Sequence, residues 1–96
     1  MAYKIVLTPA AAKDIQKAID WEESRSKGLG KRFLNDIKQR LQDIAALPTM
    51  GTVRYFDVRC VATKVFQYLI HYKSDDITLQ VSVLRIWHTK QKPIWD

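Results

Sequence analysis

The spacing of the apolar residues changes near Pro48, and this change limits the possible folds more than any other feature of the sequence. In most of the segment before Pro48, apolar residues recur every three or four positions, which is the period of one helix face. After it, short runs rich in Val, Tyr and Phe alternate apolar and polar side chains, which is the period of a strand. The sequence therefore predicts a mainly helical half followed by a β half, an order typical of the α+β class.

One short strand and two helices are predicted in the first half. Residues 3–7 form a β-type run, and Thr8 can then cap a helix in which Pro9 takes the first position, where its missing N–H is harmless. This first helix carries a narrow apolar stripe and has about 15 residues. Glycines interrupt it before a second helix, residues 29–47, which ends at Pro48. A short connection of this kind predicts an antiparallel helical hairpin.

Three strands are predicted in the second half, in the segments VRYFDVRCVA, VFQYLIHYK and ITLQVSVLRIW. The residues SDD supply a turn between the last two. In the last segment, the apolar positions that alternate with polar ones are Ile77, Leu79, Val81 and Val83. The alternation then fails at Leu84 and Ile86, which predicts a β-bulge or a strand whose second face is also covered.

The predicted fold class is α+β, with the element order β-α-α-β-β-β. An N-terminal strand and an α-helical hairpin pack on a twisted antiparallel sheet, and the first strand is expected to join an edge of that sheet. A chain of 96 residues has room for one domain, which is predicted to span residues 1–96.

The charge is spread evenly along the chain. Lys and Arg number 16 against 10 Asp and Glu, which gives a net charge of +6, and each half, residues 1–48 and 49–96, contributes +3. Such a field favours acidic partners, either nucleic acid or an acidic protein. No apolar run reaches the roughly 18 residues of a membrane span, and the N-terminal run is too short for a signal peptide, so a cytoplasmic protein is expected.

The residues present argue against several kinds of chemistry. The single cysteine, Cys60, rules out an internal disulfide and is interpreted as a small buried hydrophobe rather than a catalytic thiol. The glycines fit no phosphate-binding loop, and the two histidines, His71 and His88, have no carboxylate at a metal-ligand spacing. No metal or cofactor is therefore expected. An enzyme built on this chain would rely on Arg, Lys, His and Tyr, a set suited to phosphodiester chemistry.

The last strand ends in a basic and aromatic segment, RIWHTKQKPIW, which contains the candidate catalytic residues Arg85 and His88. Strict alternation would bury Arg85. It therefore needs either an internal ion pair, for instance with Asp57, or a bulge that aims it into a concave site. His88 has two interpretations: a general base or phosphate contact, or a hydrogen bond that fixes the C-terminal tail.

Further cations are candidate target-binding residues. Arg54, Arg59 and Lys64 flank the first strand after the helices, and they form either a solvated edge or a basic face shared with Arg85 and Lys90. Another group surrounds the loop between the helices, and its members are Arg25, Lys27, Lys31 and Arg32. That group is interpreted as a solvated loop.

The aromatic residues are expected to be mainly structural. Tyr68 and Tyr72 share one face of a strand with other apolar residues, so core packing is favoured over a platform for base stacking. His71 lies on the opposite face and is interpreted as structural. Trp21 and Trp95 are expected to cover apolar edges of the fold.

The order of the elements, together with the segments GLGKRFLNDI, LPTMGTVR, VFQYLIHYK and VLRIWHTKQKPIW, resembles the toxins of the RelE/ParE superfamily. These are the toxin halves of bacterial type II toxin–antitoxin modules, often called plasmid stabilisation proteins. The resemblance extends from about residue 3 to residue 95. It implies a small, basic fold of the microbial RNase type and a cognate antitoxin, usually encoded alongside, that wraps the toxin with an acidic or amphipathic segment. The net charge of +6 suits such a partner.

Two activities divide this superfamily, and the resemblance favours one of them. RelE-like members cleave mRNA on the ribosome with a cluster of Lys and Arg and an acid/base residue near the C-terminus, whereas ParE-like members poison DNA gyrase. Here Gln67 or Tyr68 stands where a basic residue is expected, and no tyrosine follows Pro93. These departures place the chain closer to the ParE branch. On that reading it is a binding inhibitor of gyrase without catalytic residues, and the helical hairpin is a region for engaging the target.

Two alternatives remain open from the sequence. As a RelE-like enzyme, the chain would be an mRNA endoribonuclease in which His88 serves as acid or base, and the groups that hold phosphates would be Arg54, Arg59, Lys64 and Arg85. As the second alternative, it is a toxin-fold protein that has lost its target and survives as a binding partner.

Overall fold

The computed structural model describes residues 2–89, and all structural statements refer to this part of the chain. Two helices and five strands lie within it. In chain order, the elements are β1 (Lys4–Leu7), α1 (Pro9–Arg25), α2 (Leu29–Ala46), a 3₁₀ turn (Pro48–Met50), β2 (Thr52–Tyr55), β3 (Val58–Ala62), β4 (Tyr68–Asp75) and β5 (Gln80–His88). The predicted α+β class with a helical hairpin is confirmed.

The ends of the helices follow from local side-chain chemistry. Thr8 caps α1, where its Oγ1 accepts a hydrogen bond from the N–H of Ala11 at 3.2 Å, as the sequence predicts. The start of α2 is held by the carboxylate of Glu23, which accepts hydrogen bonds from the N–H groups of Gly28 and Gly30 at 3.0 Å. Gly28 has φ = 92°, a left-handed conformation that a glycine adopts without strain. The loop is therefore fixed, and the two helices lie side by side.

The strands of the described part form one sheet in the order β1-β5-β4-β3-β2. The four strands after the helices pair antiparallel, whereas β1 pairs parallel with β5, with Ile5 opposite Val81. The first strand does join an edge, but the sheet is mixed and not wholly antiparallel as predicted. Alternation of apolar residues sets the face of a strand and carries no information about its direction, which explains the error.

The segment predicted as one strand after the helices is a hairpin of β2 and β3. The chain reverses at Phe56 and Asp57, and Phe56 has φ = 48°, in the left-handed region. Turns of this kind usually carry Gly, Asn or Asp at such a position, so a phenylalanine gives no signal in the sequence. The observed order is therefore β-α-α-β-β-β-β.

The turn between β4 and β5 is longer than the sequence predicts. The side chain of Asp75 accepts hydrogen bonds from the N–H groups of Ile77 and Thr78, which curls the chain before the strand begins at Gln80. Ile77 is 94% exposed and Leu79 has φ = 56°, so the prediction that both alternate within the last strand is wrong.

The core lies between the helices and one face of the sheet. Phe33, Ile37 and Ile44 of α2 are fully buried there, and so are Tyr72 of β4 and Val81 of β5. Burial of each such side chain stabilises the fold by about 1.5–3 kcal/mol before the loss of chain entropy is counted.

The predicted irregularity in the last strand is a β-bulge at Leu84. Tyr72 pairs with Val83, and the preceding His71 pairs with Arg85, so Leu84 has no partner on β4. The bulge resets the alternation. Ile86 enters the core, whereas Arg85 leaves the core face with a side chain that is 40% exposed.

Candidate functional site

The C-terminal part of β5 has helix α1 along its outer edge instead of a strand. Pairing with β1 ends at Val83, because the chain turns into α1 after Leu7. At this point Oγ1 of Thr8 lies 3.0 and 3.1 Å from the carbonyl oxygens of Val83 and Leu84, which share its single proton. The N–H of Ile86 donates to Oδ2 of Asp14 at 3.0 Å. The capping residue Thr8 and Asp14 of α1 thus satisfy a strand edge that would otherwise be open to pairing with another strand.

The Asp14 carboxylate also holds Arg85 in a two-point ion pair. Arg85 Nε lies 2.8 Å from Asp14 Oδ2, and Arg85 Nη2 lies 3.1 Å from Asp14 Oδ1. The hydrogen bond to Asp14 is the main cause of the raised pKa of Arg85. The guanidinium also lies 4.6 Å from the ring centre of Trp87. One edge of the guanidinium is therefore engaged before any ligand arrives.

A second acid–base group surrounds Glu22, which lies about two helical turns beyond Asp14 on α1. Tyr68 Oη donates to Oε2 of Glu22 at 3.1 Å, and Arg25 Nη1 donates to Oε1 of Glu22 at 2.8 Å. Glu22 is 2% exposed. Burial, followed by the hydrogen bond to Glu22, raises the pKa of Tyr68 to about 12. The phenol therefore stays protonated near neutral pH and is unsuited to act as a base.

These two groups frame an open cleft of about 670 Å³ between α1 and the end of β5. Cations and aromatic rings line it, namely Lys17, Trp21, Arg25, Arg85, Trp87 and His88. The ring of His88 packs edge-on against Tyr68, with 5.2 Å between ring centres. A smaller groove of about 320 Å³ beside Arg32, Val65 and Phe66 shares Arg25 and His88 with the cleft. The arrangement can hold an anionic group at its rim.

The family model described as the ParE toxin of the type II toxin–antitoxin system, parDE, matches residues 5–93 of the 96. The chain belongs to this family. The match confirms the resemblance to the RelE/ParE superfamily and favours its ParE branch. No curated protein sequence matches this ParE-family chain significantly.

Solved structures share the fold of this ParE-family chain at low sequence identity. A chain from the chromosomal ParDE toxin–antitoxin system of P. aeruginosa superposes with a TM-score of 0.80 at 14% identity, over 93% of this chain and 98% of that one. A chain of the E. coli RelBE toxin–antitoxin complex gives 0.71 at 17% identity, over 94% and 100%. A chain of the RelBE2 complex from Mycobacterium tuberculosis gives 0.69 at 20% identity, over 92% and 99%. At these identities the likeness establishes the fold.

The structure of the ParE-family chain brings two predicted site residues together. Arg85 and His88 line the same cleft. Both interpretations of Arg85 are realised, since a bulge precedes it and an ion pair holds it. The partner is Asp14 and not Asp57, which instead lies 3.2 Å from Lys73.

Three further predicted target-binding cations do not line this cleft. Arg54 is exposed at an irregularity of β2, and Arg59 donates to the carbonyl oxygen of Gly51 at 2.7 Å. Lys64 lies 3.7 Å from Asp43 on α2. None of these three cations therefore lines the cleft together with Arg85. Lys90, the remaining cation of that prediction, is outside the described residues, as is Trp95.

Cys60 and His71 form a buried pair on the sheet face opposite the helices. Sγ of Cys60 lies 3.4 Å from Nδ1 of His71, and Oη of Tyr55 lies 3.2 Å from the same nitrogen. Burial raises the pKa of Cys60 to about 11 and lowers the pKa of His71 to about 4, the latter with a contribution from Arg85. At neutral pH a thiol faces a neutral imidazole, so the pair lacks a reactive thiolate. The structural interpretation of both residues agrees with this geometry.

The acidic residues of the helices are the part of the site that sequence reasoning missed. Glu22 is buried, the Asp14 side chain is 9% exposed, and Asp36 accepts hydrogen bonds from the N–H groups of Val65 and Phe66. Only Glu22 gave a signal, because it continues the apolar stripe of α1.

Trp21 departs from its prediction. It was expected to cover an apolar edge, but it is 61% exposed beside the cleft. Within residues 2–89 there is no group of three or more His, Cys, Asp or Glu side chains that could hold a metal ion. In the same part of the chain, no helix is both long and apolar enough to cross a membrane.

Proposed function

We propose that this ParE-family chain is the toxin of a type II toxin–antitoxin module, that it inhibits growth by binding and poisoning DNA gyrase, and that a cognate antitoxin neutralises it. The family match supports the toxin assignment. The observation that carries the choice of a binding inhibitor is the ion pair between Asp14 and Arg85.

Cleavage of a phosphodiester needs cations that face the developing charge and a group that moves a proton. In the cleft, two donor nitrogens of Arg85 are engaged by Asp14, and the phenol of Tyr68 stays protonated. Arg59 and Lys64 have partners elsewhere. This distribution favours a surface that binds a protein over a centre that cleaves RNA.

The similar solved structures support an antitoxin partner. One is a chain of a ParDE toxin–antitoxin system, and others are chains of RelBE toxin–antitoxin complexes. The net charge of +6 favours an acidic partner by electrostatic steering.

A ribosome-dependent mRNA endonuclease is the second candidate function, favoured by one observation. Arg85 and His88 line a common cleft, so a phosphate contact and an acid or base would be close together. On this alternative, replacing either residue by alanine abolishes toxicity. On the gyrase proposal, Arg85→Ala and His88→Ala give graded changes.

The test is controlled expression in bacteria, with mRNA 5′ ends mapped across the transcriptome and plasmid supercoiling measured in the same cells. We expect intact messages, reduced negative supercoiling and induced DNA damage. New mRNA ends at fixed codon positions, with normal supercoiling, would overturn the gyrase proposal in favour of the endonuclease.

A further inference from the structure

Two turns at one end of the sheet carry the most exposed large apolar side chains within residues 2–89. Phe56 lies on the β2–β3 turn and is 93% exposed, and Ile77 lies on the β4–β5 turn and is 94% exposed. A groove of about 530 Å³ lies between the turns, because Asp57 of the first and Asp76 and Ile77 of the second line it. Single exposed apolar residues are ordinary, but two on turns that border one groove form a patch of the kind that partners bind. The name turn surface is used below for Phe56, Ile77 and this groove.

Contacts within each turn hold the two side chains in place. The β2–β3 turn is tied to β4 by the ion pair of Asp57 with Lys73, at 3.2 Å. The β4–β5 turn is closed by Oδ1 of Asp75, which accepts a hydrogen bond from the N–H of Ile77 at 2.9 Å. Side chains that are already ordered lose little conformational entropy when a partner binds them. Phe56 and Ile77 are therefore suited to act as anchors.

Phe56 destabilises the fold at its position. Its φ of 48° lies in the left-handed region, which glycine adopts without strain, and its exposed ring gains little from burial. Strained residues of this kind cluster at sites that bind ligands or change conformation. Since packing within residues 2–89 does not explain a phenylalanine here, the position indicates a contact with a partner.

The charge of the turn surface differs from that of the whole chain. Three carboxylates and one ammonium group line the groove, from Asp57, Asp75, Asp76 and Lys73, whereas the chain has a net charge of +6. Hydrogen bonds from N–H groups of the turn lower the pKa of Asp75, so this carboxylate is ionised at neutral pH. An acidic antitoxin, which the net charge favours, is therefore not attracted to the groove. Of the two partners in the proposed function, the target is the one that fits.

The turn surface and the cleft lie at opposite ends of β5. Gln80, the first residue of the strand, lines the groove, and His88, the last, lines the cleft. At about 3.3 Å per residue, the two ends of the strand are roughly 25 Å apart. The turn surface is therefore a site separate from the cleft.

We infer that the turn surface is where this chain docks on DNA gyrase. Phe56 and Ile77 enter apolar pockets of the enzyme, and Asp75 and Asp76 face Lys or Arg side chains of its surface. This inference rests on the proposed function, because it names the part of the toxin that contacts the proposed target. It places that contact on turns of the sheet and not on the helical hairpin, the region that the family resemblance implies.

The test measures how Phe56→Ala, Ile77→Ala and the double variant inhibit purified gyrase. Supercoiling of relaxed plasmid gives the half-inhibitory concentration, and surface plasmon resonance gives the Kd for the gyrase holoenzyme. Leu47→Ala is the matched control, because Leu47 is 57% exposed at the end of α2 and lines neither the cleft nor either groove. Thermal unfolding, and affinity for the purified product of the gene adjacent to that of the toxin, monitor the fold.

We expect each single variant to raise the half-inhibitory concentration and the Kd by about tenfold or more, because a few apolar anchors dominate an interface. The control should change both by less than about threefold, and affinity for the product of the adjacent gene should stay within about threefold for all variants. Phe56→Gly separates docking from folding. It should unfold at a temperature no lower than Phe56→Ala, because glycine relieves the strain, and it should inhibit gyrase equally poorly.

Unchanged inhibition by the double variant, with the wild-type chain active, would overturn the turn surface and leave the proposed function intact. Loss of inhibition in Lys27→Glu/Lys31→Glu alone would also overturn it and assign the contact to the helical hairpin. A parallel loss of thermal stability and of affinity for the adjacent gene's product would show that Phe56 and Ile77 support the fold instead. A wild-type chain that neither binds nor inhibits gyrase would overturn the proposed function together with this inference.

Discussion

Asp14 joins helix α1 to strand β5 through one carboxylate. Its carboxylate projects from α1 and accepts hydrogen bonds from the Arg85 side chain and from the N–H of Ile86, both on β5. Nothing in the local sequence distinguishes it from the exposed Asp20 of the same helix. Its role depends on a contact with residues about 70 positions away, which no local pattern reports.

The Asp14 contacts predict a measurable loss of stability. Asp14→Asn keeps an oxygen for the N–H of Ile86 but removes the charge that holds Arg85, whose side chain is 40% exposed. Because solvent screens the pair, we expect a loss of about 1 kcal/mol in the free energy of unfolding, measured with urea. Asp20→Asn is the matched control and should change stability by less than about 0.5 kcal/mol. If Asp14→Asn lowered the free energy of unfolding by the same amount in the Arg85→Ala variant, the coupling between Asp14 and Arg85 would be contradicted.

His71 predicts that stability falls in mild acid. Burial lowers the pKa of His71 to about 4 from an ordinary 6.5. Between pH 6.5 and 4, His71 is therefore protonated in the unfolded chain and mostly neutral in the folded chain. Above pH 6.5 protonation of His71 does not lower the free energy of unfolding. As the pH falls from 6.5 towards 4, that free energy decreases by up to about 3 kcal/mol. Arg85, Asp14, Tyr55 and Cys60 are the titratable groups around it.

The check is urea unfolding of the wild type and of His71→Asn, which keeps a hydrogen-bond acceptor, at pH 7, 6 and 5. The stability advantage of the wild type should shrink, or its disadvantage grow, as the pH falls. A difference between the two proteins that stays constant from pH 7 to pH 5 would show that the imidazole does not titrate as described.

Among the elements, the helices were predictable and two features of the sheet were not. The apolar period, Thr8 with Pro9, and Pro48 are local signals, and they define α1 and α2 to within about two residues. The bulge at Leu84 also left a trace, as a break in alternation. The parallel pairing of β1 is set by the path of the whole chain, and the β2–β3 turn uses a residue that rarely adopts its conformation.

That turn predicts a stabilising substitution. Phe56 is 93% exposed and has φ = 48°, so it contributes little packing and holds a strained backbone. Phe56→Gly should exceed Phe56→Ala in stability by about 0.5–1 kcal/mol, because glycine adopts the left-handed region without strain. Chemical denaturation of both variants measures this difference. If the alanine variant were the more stable of the two, a left-handed residue at this position would be contradicted.

For the whole molecule, the fold class and the superfamily followed from the order of elements, whereas the site followed only in part. The sequence indicated that Arg85 and His88 belong together, and the structure places both in one cleft. The sequence did not distinguish the cations that form ion pairs with carboxylates from those that are exposed at the rim of the cleft. That distinction depends on Asp14 and Glu22, whose burial arises from packing between α1 and the sheet.

We propose that this ParE-family chain acts on DNA gyrase by binding it. The most direct measurement adds the purified chain to gyrase, relaxed plasmid and ATP, and follows supercoiling on a gel. We expect loss of supercoiling with accumulation of cleaved plasmid, and recovery when the antitoxin is added first. Unimpaired supercoiling at a molar excess of the chain, together with cleavage of mRNA on programmed ribosomes, would contradict it.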